Sequence, residues 1–173
     1  MTAMLNRLFL AIAVLAVIGS GSSSVMAAPK AELWPRWQAF DAASTKTVDH
    51  SAFDGFLLKY VTPVQGGHNR VAYKDVSDAD RGALAEYISS LSRVPVTTLR
   101  RDEQMAFWIN LYNALTLKTV LDHYPVKSIR DIDISPGFFA DGPWGKKLIE
   151  IDGEPISLDD IEHRILRPIW KDP

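Results

Sequence analysis

The sequence predicts an α+β domain in which several helices pack round one central buried helix and a small antiparallel sheet lies beside them. Two observations carry most of this. Residues 103–121 are the longest apolar stretch outside the N-terminal leader, greasy nearly all round, which implies burial on most sides. Downstream, Lys147–Ile151 and Glu154–Ser157 flank Asp152-Gly153, a dipeptide that supplies the positive dihedral angles of a tight strand reversal. With 173 residues, 47% hydrophobic, and no cysteine, the chain cannot rely on disulfides and needs a buried apolar core.

The elements follow in order. Leu8–Gly19 is an uncharged run behind Asn6-Arg7, shorter than the ~20 residues of a spanning helix. Val25-Met26-Ala27 places small side chains three and one residues before a cut at Ala27/Ala28, so residues 1–27 read as a cleavable secretory signal. The expected address is periplasmic or secreted, with no stable membrane span after cleavage. Residues 28–48 read as a docking segment whose Leu33, Trp37 and Phe40 share one face of a short helix. The domain proper spans 49–173. Asp49 is placed to cap a helix over 51–61 with Phe53, Phe56, Leu57 and Tyr60 repeating at three and four. Residues 70–73 alternate enough for a short strand. Ser77 and Asp80 resemble a capping box that opens a helix lined by Leu84, Tyr87, Ile88 and Leu91. Ser157 and Asp160 repeat that pattern before a helix running to about Arg167, limited by Pro168.

Composition excludes some functions. The formal net charge is -2, and no basic run exceeds a pair, so nothing marks a nucleic-acid partner. No phosphate loop, dinucleotide fingerprint or Gly-x-Ser-x-Gly elbow occurs, and no cofactor is expected. His50, His68 and His123 have a cap, a turn and a helix end to explain them. No two histidines show the spacing of a zinc protease, so no metal is expected either.

Within the central helix, Glu103, Asn110 and Asn113 share a stripe and need polar partners. The two amides read either as a buried structural pair or as groups that hold a ligand carbonyl or orient an imidazole. Trp108 and Tyr112, four apart, read as core or as a substrate platform. Glu162-His163 sets a carboxylate beside an imidazole. On an α-helix adjacent positions diverge, so His163 is expected to pair with Asp159 and Arg167 instead, while Glu162 faces another cation such as Arg130 or Lys146.

Phe107-Trp-Ile-Asn-Leu-Tyr-Asn-Ala-Leu115, Pro136-Gly-Phe-Phe139 and Ser157-Leu-Asp-Asp-Ile-Glu-His-Arg-Ile-Leu-Arg167, in that order, resemble the family called domain of unknown function 547. The resemblance runs from about Phe56 to the C-terminus. It implies a layout similar to papain-like and transglutaminase-like thiol hydrolases, and a later strand carrying His and Cys, so the chain reads as the first part of a longer protein. Two functions are expected from it. One is a thiol-dependent hydrolase or transferase on peptide or amide bonds, its nucleophile beyond the chain, supported by Asn110, Asn113 and His163. The other is a non-catalytic envelope binding module for a small-molecule or peptide ligand. Its binding groups would be Glu103, Trp108, Phe138, Trp144 and Glu162, with the aromatic loop from Pro136 to Trp144 as contact surface.

Overall fold

The computed structural model describes residues 30–65, 67–137 and 142–171. The signal and its cleavage point, and Phe138 in the aromatic loop, lie outside those residues. Helix α1 (Ser51–Tyr60) buries Phe53, Phe56 and Tyr60. Asp49 accepts the Ser51 N–H at 2.9 Å, one residue outside the His50 N-cap position. The chain then reverses through a two-stranded antiparallel ribbon, β1 (Val61–Thr62) against β2 (Arg70–Val71). The strand expected over 70–73 is therefore shorter, because Tyr73–Asp75 wind into a single tight turn.

Helix α2 (Asp78–Leu91) starts at Ser77, whose hydroxyl accepts the Asp80 N–H at 3.2 Å and buries Leu84, Tyr87, Ile88 and Leu91 as predicted. The Asp80 carboxylate takes the hydroxyls of Tyr60 (2.6 Å) and Ser77 and the Lys59 ammonium (2.7 Å), tying α1 to α2.

Helix α3 (Arg101–His123) is the central rod. Phe107, Trp108, Leu111, Ala114 and Leu117 are fully enclosed, because α2 covers one side and the C-terminal helical segment another. One polar side chain inside this contact was not anticipated from sequence. Gln104 is 1% exposed, donates to the carbonyls of Ala39 and Val96 (2.8 Å each) and accepts from Arg101 at 2.9 Å. A buried amide is tolerated there because its donors and acceptor are satisfied.

The hairpin forms as predicted. Strands β3 (Ile149–Ile151) and β4 (Glu154–Ile156) pair through Asp152 (φ 49°) and Gly153 (φ 79°). Leu148 N–H also reaches the Ile156 carbonyl at 2.9 Å, so two residues of one strand oppose one of the other, a β-bulge.

The segment after β4 departs from expectation. Instead of one α-helix ending before Pro168, the chain forms a π-helix (Asp160–Leu166) that runs straight into α4 (Arg167–Trp170), with Pro168 inside α4's first turn. The physical reason is the proline. In an α-helix residue 168 would donate to the Arg164 carbonyl, but proline has no N–H and its ring collides with that carbonyl. The wider π turn relieves the collision, and the Arg167 N–H bonds back to Glu162 instead.

The carbonyls of His163 and Arg164 are then taken by the N-terminal segment, which donates from Glu32 (3.0 Å) and Trp34 (2.9 Å). That segment is consequently extended rather than the predicted docking helix, apart from one 3₁₀ turn at Pro35–Gln38. Trp37 enters the core against Trp108 (5.0 Å, 76°), while Phe40, predicted on the same face, stays 48% exposed beneath the Arg101 guanidinium.

Asp160 secures the entry to the π-helix. It is 4% exposed and accepts from Ser157 N (2.9 Å), Ser157 Oγ (2.7 Å), Arg164 (3.0 Å) and Lys147. Burial pushes its pKa up, but these hydrogen bonds outweigh that and hold it below the ordinary 3.8. A depressed folded pKa means that its stabilisation is complete above the unfolded value and is lost as pH falls through the folded one. Asp160→Asn is expected to cost about 2–3 kcal/mol in urea unfolding at neutral pH, through the lost charge-assisted hydrogen bonds. The deficit should shrink below about pH 4, where an unfolded carboxylate begins to protonate; a deficit independent of pH would contradict this role.

Candidate functional site

The junction of α3 with the π-helix gathers a cluster of titratable and aromatic side chains. Tyr112 projects from α3, and its hydroxyl donates to Glu162 Oε2 at 3.1 Å. Glu162 Oε1 lies 3.8 Å from His163 Nε2, and Asp159 Oδ1 lies 4.0 Å from the same nitrogen. Sequence spacing placed Asp159 and Arg167 beside His163, and both are there. It also placed Glu162 elsewhere, on the assumption of α geometry. In the π-helix the Glu162 carboxylate lies by the His163 imidazole, and the cation beside it is Arg167, whose Nη1 is 4.0 Å from Oε1, rather than Arg130 or Lys146.

Arg167 Nη1 lies 3.3 Å from His163 Nδ1, a contact in which the guanidinium donates and Nδ1 accepts, and Nε2 is the ring nitrogen that faces the two carboxylates. The imidazole is 7% exposed at its side chain, whereas Asp159 and Glu162 are 38% and 41% exposed.

Trp144 closes one side. Its carbonyl accepts the Asp159 N–H at 3.0 Å, and Ser135 Oγ accepts the Gly145 N–H at 2.9 Å to cinch the base of the aromatic loop. Gly142, at φ +73°, lies against the Trp144 ring where any Cβ would collide with it.

Electrostatics distinguishes the carboxylates. Burial raises the Asp159 pKa above the ordinary 3.8, and the charges of Glu162 and Asp160 add to the rise while His163 and Lys147 oppose it. Burial also raises the Tyr112 phenol, and the Glu162 charge adds to this, so Tyr112 remains a donor. Among the described aspartates with a resolved shift, Asp49, Asp80 and Asp160 move down and Asp159 moves up.

The other residues singled out from sequence lie apart from this cluster or form no hydrogen bond with it among the described residues. Glu103 accepts the Val48 N–H at 3.2 Å, anchoring the N-terminal segment. Trp108 is fully enclosed between Trp37 and Phe107. Asn110 and Asn113 are half-buried, and neither amide hydrogen-bonds another described residue. Spacing alone offers Tyr112 as a platform or core residue, because its link to Glu162, fifty positions away, leaves no local signal. Among the described residues no group of three His, Asp or Glu is arranged to hold a metal ion, and no helix is long and apolar enough to cross a membrane.

Residues 96–172 match the family described as "Protein of unknown function, DUF547". This part of the chain is similar to the DUF547 family. The match holds α3, the hairpin and the π-helix, hence every member of the cluster, but begins at Val96 rather than near Phe56. No curated protein and no solved structure matches the chain. The DUF547 description names no activity.

Because Asp159 binds its proton more tightly folded than unfolded, ionising it costs stability as pH rises from 3.8 through the folded value, and the cost is complete above it. Asp159→Asn is therefore expected to raise the melting temperature at neutral pH. The gap should close on acidification. A variant less stable than the parent at neutral pH would show that Asp159 is a structural anchor like Asp160.

Proposed function

We propose that this DUF547 chain is an exported, non-catalytic binding module for a small cationic ligand or the cationic side chain of a peptide. The ammonium or guanidinium would sit between the carboxylates of Asp159 and Glu162, flanked by Trp144 and Tyr112. The observation that carries this reading is the convergence of two part-exposed carboxylates on one imidazole nitrogen, at 3.8 and 4.0 Å, with Asp159 destabilised in its charged form. A site that keeps an unfavourable charge at a cost in stability has the character of a functional one. An incoming cation relieves the repulsion, and aromatic rings beside it add a cation–π contribution. The signal-like segment at 1–27 supports export to the periplasm or beyond.

The thiol-hydrolase reading needs His163 to accept a proton from a nucleophile. In the present arrangement Nδ1 is turned to Arg167 and Nε2 to the carboxylates of Asp159 and Glu162, so neither ring nitrogen faces an open position for a nucleophile. That favours binding over general-base catalysis.

An ammonium about 4 Å from a carboxylate gains about 1 kcal/mol in water and about 4 kcal/mol near a protein surface. Loss of one such contact is expected to weaken binding about tenfold, for ~1.4 kcal/mol. In isothermal titration calorimetry, N-acetyl-lysine amide should bind the parent chain and bind Glu162→Gln about tenfold more weakly, while the Nε-acetylated analogue should not bind. Affinity should fall on acidification sooner than for an ordinary carboxylate, because Asp159 protonates at higher pH. Equal affinity for the charged and acetylated probes would refute the proposal.

A further inference from the structure

The hairpin has two outer edges that are treated differently. In its register Ile151 faces Glu154 across the two-residue turn and Ile149 faces Ile156, so these pairs exchange the ladder hydrogen bonds, and Glu150 faces Pro155 in the non-bonded position between them. The backbone groups of Glu150 and Pro155 therefore point outward, one to each edge. On the β4 edge the outward position is a proline, which has no N–H to offer and blocks strand addition. On the β3 edge the outward N–H and C=O of Glu150 have no partner among the described residues.

That open edge borders a groove of about 460 Å³ between β3 and α2, floored by Ala85, Ile88 and Ile149, with Ser89 beside them. The charged residues lining it are Glu150 and Asp152, both acidic. Arg36 is held by the Asp152 carbonyl (2.7 Å) and by Glu154 on the other strand (3.4 Å), and neither Glu150 nor Asp152 forms an ion pair among the described residues.

We propose that the β3 edge and this groove bind an extended peptide bearing Lys or Arg at alternate positions, added as a third strand beside β3. Its backbone pairs with Glu150, one face of alternate side chains lies over Ala85 and Ile149, and the cationic face meets Glu150 and Asp152. Main-chain bonds supply affinity and the carboxylates supply preference, the division expected of strand addition. The groove is separate in sequence and elements from the α3/π-helix cluster, so this inference stands without the reading of that cluster.

The test uses the full chain and the blocked peptide acetyl-Thr-Lys-Val-Lys-Val-Thr-amide. The expected result is binding by calorimetry, slowed hydrogen exchange of the Glu150 amide, and about tenfold weaker binding to Ser89→Arg, an exposed α2 position where the new side chain fills the groove with like charge. The same peptide N-methylated at both valines should lose binding, and Glu162→Gln in the protein should leave it unchanged. Undiminished binding of the N-methylated peptide, or no protection at Glu150, would overturn strand addition. Loss of binding in Glu162→Gln would assign the lysines to the other cluster and likewise overturn it. Sedimentation revealing a dimer that Ser89→Arg dissociates would give the edge to a second copy of the chain instead.

Discussion

The missing N–H of Pro168 constrains more of this molecule than any apolar contact does. It forces the preceding seven residues into a π-helix, and it leaves the carbonyls of His163 and Arg164 without their usual intrahelical donors. Buried carbonyls need partners, so the N-terminal segment is drawn across them as an extended strand, bonded through Glu32 and Trp34. Once so placed, it delivers Trp37 against Trp108 and closes the aromatic end of the core. A helix irregularity more than 130 residues away in sequence thus decides the conformation of the segment that precedes α1.

The same irregularity builds the cluster. On regular α geometry Glu162 and His163 would diverge. The π turn narrows the angle between successive residues, the Glu162 carboxylate lies 3.8 Å from the imidazole, and Tyr112 from the enclosed central helix reaches Glu162 from the other side. Single π segments inside helices occur often at functional sites, and here the geometric reason is plain: extra backbone per turn lets side chains converge that a regular helix would separate.

Much of the scaffold was legible in the sequence because its signals are local. Greasy periodicity marks α2 and α3, Ser77 and Ser157 mark starts, and Asp152-Gly153 marks the hairpin. What escaped were consequences of long-range satisfaction. Pro168 was visible, but a proline reads as a stop unless the partners of the freed carbonyls are known, and these lie near residue 33. The buried Gln104 and the Tyr112–Glu162 bond escaped for the same reason. The candidate site was half visible: spacing gave Asp159, His163 and Arg167 as neighbours, while the inclusion of Glu162 depended on winding that no periodicity reports.

Asp159 and Asp160 are adjacent, yet their environments pull their proton affinities in opposite directions. Asp160 points inward and collects Lys147, Arg164 and two groups of Ser157, which more than offset its burial. Asp159 points the other way, to the His163 imidazole and a second carboxylate, and the opposing influence of His163 and Lys147 does not outweigh its desolvation. Lys147 and Arg164 are thus bonded to the residue that holds the fold, Arg167 stands by Glu162 and His163, and Asp159 is left with no cation of its own among the described residues. Neighbouring carboxylates divided in this way are a recurrent mark of a structural role and a working role set side by side. Among the described residues Asp159 itself has no cation within salt-bridge distance, Arg167 standing beside Glu162 and His163 instead, and it is this shortfall that the proposed positively charged guest would fill.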